Sequence, residues 1–221
     1  MARPAAPNAR AALRTAARAE FARRGIKGAR IEDITSACGL SKGAYYLHYE
    51  SKEALFRELV HELIGALETH ARDRADRMKA YVKAHGALKR ADMLPGAHAY
   101  DDYLALETAC DLQLLELLWS YRDVVRTLLR GSQGTEFESI AWDMIRQQKE
   151  RIVSDFRELQ RGKKVRTDIP PEVFGTMVVG TYFLLGQQFS ETEKKPDLER
   201  LASSLHRLLH EGASSHSPDL P

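Results

Sequence analysis

The sequence predicts an all-α protein, and three observations carry that reading. Its eight prolines stand only at positions 4, 7, 95, 170, 171, 196, 218 and 221, so the intervals between them are long and free of helix breakers. Within those intervals apolar residues recur every three or four positions. No stretch shows the sustained alternation of a half-buried strand.

The elements follow in order. Leu13, Ala17 and Phe21 form a stripe that ends at Gly25, a helix C-terminus. Ile31, Ile34 and Cys38 form a second, very short helix ending at Gly39. Ser41 caps a third that runs through Tyr45 and Tyr49. Ser51 caps a fourth, in which Leu55, Leu59, Leu63 and Leu67 repeat every fourth residue. Further helical segments are expected at 69–90, 100–130, 135–161, 171–190 and 197–211, with breaks at Leu94-Pro95-Gly96, Gly131 to Gly134, Gly162 to Pro171 and Glu193 to Pro196. The polar ends, 1–8 and 212–221, are expected to be disordered tails.

With 43% hydrophobic and 29% charged residues in 221, the chain has the balance of a folded domain. The longest nearly unbroken apolar run, Met177 to Gly186, is far short of the roughly 20 residues that span a bilayer, and the N-terminus lacks the apolar core of a secretory signal, so a cytoplasmic location is expected. Cys38 and Cys110 stand too far apart in sequence for metal-ligand spacing and are expected to be reduced and buried. The net charge of +2 is uneven: nine Lys and Arg oppose four Asp and Glu in the first 50 residues, and the remainder is slightly acidic. Such a bias fits a region that faces nucleic acid or an anionic membrane, and it also fits an ordinary solvated face.

The informative stretch is Ile31 to Phe56, IEDITSACGLSKGAYYLHYESKEALF. Gly39 stands where a tight turn demands positive φ, Leu40 can pin the turn to the core, and Ala37 and Cys38 are small enough for close helix approach. Alone, this pattern fits an αα-corner as well as a helix-turn-helix. The second helix of the pair favours the latter. Its outer face carries Ser41, Lys42, Gly43, Tyr46 and His48, with Lys52 just beyond, a set rich in donors for phosphate oxygens. Lys42 can reach a guanine edge, and Gly43 and Ala44 let the helix come close to the bases.

The order Ser41-Lys42-Gly43, Tyr46, His48, Tyr49 and Ser51-Lys52-Glu53-Ala54-Leu55-Phe56, with Ile31, Ile34, Ala37 and Gly39 upstream, resembles the DNA-binding domain of the tetracycline-repressor (TetR) family of bacterial regulators. The resemblance covers about residues 10–68. It implies a three-helix DNA-binding domain at 9–50, joined by a long helix to a helical ligand-binding and dimerisation domain at 51–211. It makes Lys42, Gly43 and Ala44 base-facing and Ser41, Tyr46, His48 and Lys52 phosphate contacts, with Tyr45 and Tyr49 turned inward. Two positions depart from the family pattern. Ala29-Arg30 replaces the usual capping Ser or Thr, leaving Arg30 to supply a phosphate contact by charge. Leu47 stands at a commonly polar or aromatic position, where it can touch a thymine methyl.

No catalytic constellation emerges. Gly131-Ser132-Gln133-Gly134 lacks the lysine and preceding strand of a P-loop, and Gly-x-Ser-x-Gly does not occur. Glu58 and His61 have di-iron spacing without a second such pair. His206 and His210 are read as a surface pair rather than metal ligands, and Glu107, Asp111 and Glu116 as buried-looking hydrogen-bonding or ion-pairing acids. The expectation is a protein that is not an enzyme and carries no metal or cofactor.

In the C-terminal half, Phe174, Val178, Val179, Tyr182, Phe183 and Leu185 make 171–190 apolar nearly all round, and Gly175, Gly180 and Gly186 suit close helix approach. A homodimer seam is expected from Gly175, Val179, Gly180, Phe183, Leu201, Leu205 and Leu208, with packing within one chain as the alternative. An effector pocket is expected from Tyr103, Glu107, Glu116, Trp119, Trp142, Tyr182 and Gln187, although apolar residues mixed with a few polar ones also describe any helical core. The resulting expectation is a homodimeric regulator, a repressor, that binds a palindromic double-stranded operator and is released by a small, mainly apolar effector. The alternative is a helical effector-binding or interaction protein without useful DNA affinity.

Overall fold

The computed structural model describes residues 8–86, 98–162 and 165–213. Among them are the helices α1 (Ala9–Gly28), α2 (Ile31–Ala37), α3 (Lys42–Tyr46), α4 (Lys52–His85), α5 (His98–Ser120), α6 (Arg122–Arg130), α7 (Ile140–Arg161), α8 (Pro171–Glu191) and α9 (Leu198–Ala213), and no strand. The all-α expectation holds. The break at Leu94-Pro95-Gly96 lies outside the described residues, as do the side chains of His206 and His210 and most of the two tails.

Three segment boundaries differ from expectation. The helix capped by Ser51 and the segment from 69 form one 34-residue helix, since no Pro stands between them and Gly65 keeps helical backbone. The 100–130 segment breaks at Tyr121, whose φ of −104° and ψ of 14° are not helical. Residues 135–139 form turns rather than the start of α7, because Phe137 is drawn into an aromatic cluster and the Ser132 carbonyl accepts from Thr135.

The chain forms two compact units. The first comprises residues 1–66 and 121–141, so it takes in the start of α4 and all of α6 as well as α1 to α3. Its core is Leu13, Ala17 and Phe21 from α1, Ile34, Tyr45, and Leu55, Phe56, Leu59 and Leu63 from α4. Phe56 sits edge-on between Phe21 (5.2 Å) and Phe137 (5.0 Å), the offset geometry that aromatic quadrupoles favour. Gly25, at φ 68° and ψ 172°, interrupts α1 where the stripe ends, and Gly39 adopts φ 68° in the turn between α2 and α3. Arg18 grips Asp123, at the start of α6, through both carboxylate oxygens at 2.6 and 2.8 Å.

The second unit comprises 67–120 and 142–221. Leu115 of α5, Phe189 of α8, and Leu198 and Ala202 of α9 form its core, with Trp119, Tyr182, Leu185, Leu201 and Leu205 packed around them. Phe156 and Phe174 stack at 4.0 Å between α7 and α8. Cys110 is buried, and burial pushes its thiol up. Cys38 is only half-buried, contrary to expectation, because it ends α2 with its thiol directed at the Ile34 carbonyl at 3.4 Å.

Candidate nucleic-acid interface

The local sequence builds a short exposed platform. Ser41 accepts a hydrogen bond from the Ala44 amide at 3.1 Å, which starts α3, and Ser51 does the same for Ala54 at 3.0 Å at the start of α4. Tyr45 is fully buried beneath α3, its hydroxyl donating to the Ser51 carbonyl at 3.0 Å, and burial pushes that phenol up. Tyr49 is also buried, next to Arg10 and Glu58. These two rings pin the platform to the core.

Ser41, Lys42, Gly43, Tyr46 and Leu47 are exposed, with Tyr46 at 50% and Leu47 at 67%. Gly43 is open: a Cβ there would meet only the Ser41 hydroxyl, at 3.7 Å. Ala44 and His48 are half-buried, and His48 Nε2 has no hydrogen-bond partner. Lys42 is held by Glu32 of α2 at 2.7 Å, a contact that raises the ammonium and holds the Glu32 carboxyl below its usual range. Arg30 is exposed and provides no side-chain cap for α2, where Glu32 and Asp33 suit the helix dipole instead.

Lys52 holds a position the sequence did not reveal. Its ammonium donates to the carbonyls of Lys27 (3.0 Å) and Ala29 (2.9 Å), closing the end of α1, so one of its three donors is left for an outside partner.

In the second unit the structure brings together only some of the residues expected to line a pocket. Arg74 of α4, absent from that set, pairs with the buried carboxylate of Glu107 and lies 3.6 Å from that of Asp111. Tyr103 and Tyr182 stand beside these charges, and burial pushes both phenols up. Arg74 escaped notice because i, i+3 charges such as Arg74 and Arg77 read as a solvated helix face. Glu116 corrects the expectation of a buried acid: it is exposed and held by Lys195 at 2.7 Å. Trp142 is 60% exposed against Phe183, whereas Trp119 packs on Phe189 and Gln187 is half-buried.

The residues expected at a dimer seam divide likewise. Gly175 faces inward, where a Cβ would lie 2.6 Å from Val153 Cγ2, so its close approach is to α7 of the same chain. Gly180 faces open space, and Val173, Met177 and Leu184 of α8 and Leu208 of α9 are exposed. Val179, Phe183, Leu201 and Leu205 are half-buried.

A short helix, a left-handed glycine turn and a second short helix presenting Lys42, Gly43 and Tyr46 define a helix-turn-helix DNA-binding module. Residues 13–59 match the profile described as "Bacterial regulatory proteins, tetR family", so the N-terminal domain is similar to the DNA-binding domain of those regulators. The chain is 49% identical over 45 residues to an uncharacterized HTH-type transcriptional regulator, YerO, of Bacillus subtilis (strain 168), an alignment covering 20% of this chain and 16% of the relative. It is 40% identical over 48 residues to the HTH-type transcriptional repressor DhaR of Mycobacterium sp. (strain GP1), covering 22% of this chain and 24% of that one. The whole fold is similar to the ketosteroid transcriptional regulator KstR2 of Mycobacterium tuberculosis, with a TM-score of 0.69 over 96% of this chain and 97% of that chain at 17% identity. No helix among the described residues is long and apolar enough to cross a membrane.

Proposed function

We propose that this chain is a cytoplasmic transcriptional repressor that binds a palindromic operator as a homodimer and releases it when a small, mainly apolar effector occupies the second unit. The observation that carries the reading is the outward face of α3, where Lys42, Gly43, Tyr46 and Leu47 are exposed on a helix fixed from below by Tyr45. Ala44 backs that face, Ser41, Tyr46, His48 and Arg30 supply phosphate contacts, and Lys52 adds its one remaining donor. A repressor is favoured over an interaction protein without DNA affinity because the exposed set is rich in phosphate donors and carries no carboxylate of its own. The α4 helix runs from Lys52 into the second unit without a break, and the chain passes between the units again at 120–121 and 141–142, so a change around Arg74 has three covalent routes to the module. An effector acts by binding the two states unequally, typically changing DNA affinity by about 5- to 150-fold, with DNA weakening effector binding equally.

The test is selection of duplexes from a random library by the full chain, followed by affinity at one fixed salt concentration. A palindromic consensus should emerge, and Lys42→Ala should weaken the selected duplex more than a random one. An absence of any selected sequence, or equal losses on both duplexes, overturns the assignment of Lys42 as a base reader.

A further inference from the structure

The first unit carries a second cationic surface, away from α3. The ends of α1 and α6 enclose a groove of about 410 Å³ lined by Arg23, Arg24, Lys27, Arg126, Arg130 and Gln133, with no carboxylate in its walls. Arg23 and Arg24 are paired with acids outside those walls. Glu20, itself buried, is shared by Arg23 at 2.5 Å and Arg24 at 3.2 Å, Asp33 lies 3.7 Å from Arg24, and Glu138 is tied to the Gly134 amide. Lys27 and Arg126 have no ion-pair partner among the described residues. Lys27 and Arg126 thus add positive charge to a groove whose walls hold no carboxylate, a charge that an outside anion would offset.

The position of Lys27 says which anion. Its carbonyl holds the ammonium of Lys52, the residue at the start of α4 proposed to meet the phosphate backbone, and its own side chain lies against Gly134, next to Gln133 of the groove wall. The groove is therefore continuous with the proposed DNA-facing edge, and exposed Arg30 stands between them in sequence. We infer that the groove between α1 and α6 holds phosphates of the operator flank, outside the base pairs read by α3, with Lys27 and Arg126 as its contacts. This inference rests on the reading of the chain as a DNA-binding protein and adds a second, sequence-independent contact to it.

The experiment compares a selected duplex carrying long flanks with the same duplex trimmed to the half-sites. Binding by wild type, the double variant Lys27→Gln/Arg126→Gln, and Lys27→Arg/Arg126→Lys is followed across salt concentrations. On the long duplex the double Gln variant should lower the slope of log affinity against log salt by about 1 to 2, roughly 0.9 for each lost phosphate contact. The trimmed duplex should show no such difference, and the charge-preserving variant should restore the slope. Thermal melts establish that the variants fold. Unchanged slopes on the long duplex, or equal changes on both duplexes, overturn the groove contact while leaving DNA binding intact. Wild type that binds no duplex overturns both readings. Titration with sodium tripolyphosphate decides the remaining source: tight binding lost in the Gln variant, with duplex slopes unchanged, assigns the groove to a soluble polyanion and overturns the DNA assignment.

Discussion

Gly25 and Gly131 touch through their backbones. A Cβ on Gly131 would lie 2.7 Å from Gly25 Cα, and the Gly131 carbonyl accepts from the Ile26 amide at 2.9 Å, so the end of α1 is hydrogen-bonded to the end of α6. Both partners are backbone, which cannot yield as a side chain can. Gly131→Val should destabilise the protein by roughly 1–3 kcal/mol through overpacking. Gly39→Ala, which meets no neighbour but must hold φ at 68°, is the comparison, since its cost is conformational only. Denaturant titration measures both. An unchanged midpoint for Gly131→Val means that α1 and α6 separate without cost.

Arg74 pairs with the buried Glu107 and lies 3.6 Å from the buried Asp111, and Arg74→Met takes that cation away from both carboxylates. Removing one partner of a buried pair costs about 3–5 kcal/mol; because the Arg74 side chain keeps 38% of its surface in water, roughly 2–3 kcal/mol is expected here. Replacing all three by apolar residues should recover most of that loss. Equal stability of Arg74→Met and wild type would mean that water already satisfies these acids.

His70, four residues before Arg74 on α4, is held below its ordinary value of 6.5 by burial first and by Arg74 and Arg77 next, opposed by Asp111 and Asp73. The unfolded chain then binds the proton more readily than the folded one. Its contribution to stability is complete above about pH 6.5 and is lost as pH falls through the lower folded value. His70→Gln should flatten the fall of Tm between pH 7 and pH 5, and parallel profiles for the two proteins would place the acid sensitivity elsewhere.

The helix-turn-helix was legible because its requirements are local. A left-handed glycine, two serine caps and two buried tyrosines four residues apart each act within a few residues, and Gly39, Ser41, Ser51, Tyr45 and Tyr49 all hold their expected places. The second unit was less legible because its polar groups are satisfied by partners far apart in sequence. Arg74 meets Glu107 and Lys195 meets Glu116, and nothing in the spacing of either residue announces which acid will be buried. Lys52 shows the same limit at close range, since its carbonyl partners, 23 and 25 residues earlier, leave no pattern.

The proposed dimer has a test in Gly180. Val173, Met177, Gly180 and Leu184 fall at i, i+4, i+7 and i+11 on α8, one face of the helix, and its three large side chains are 58%, 45% and 61% exposed. Gly180 sits in this row with open space before it, so within one chain a larger side chain there meets nothing. Gly180→Leu should therefore leave the fold of a single chain intact and even favour α8, because glycine costs about 1 kcal/mol in a helix. If a partner helix lies across this face, the same change should shift sedimentation toward the monomer and weaken operator binding, while Lys42 and the rest of the first unit stay untouched. Gly175→Leu is the control: it collides with Val153 of the same chain and should lower stability whatever the oligomeric state. A Gly180→Leu protein that remains fully dimeric and binds the operator as wild type does would move the seam off this row.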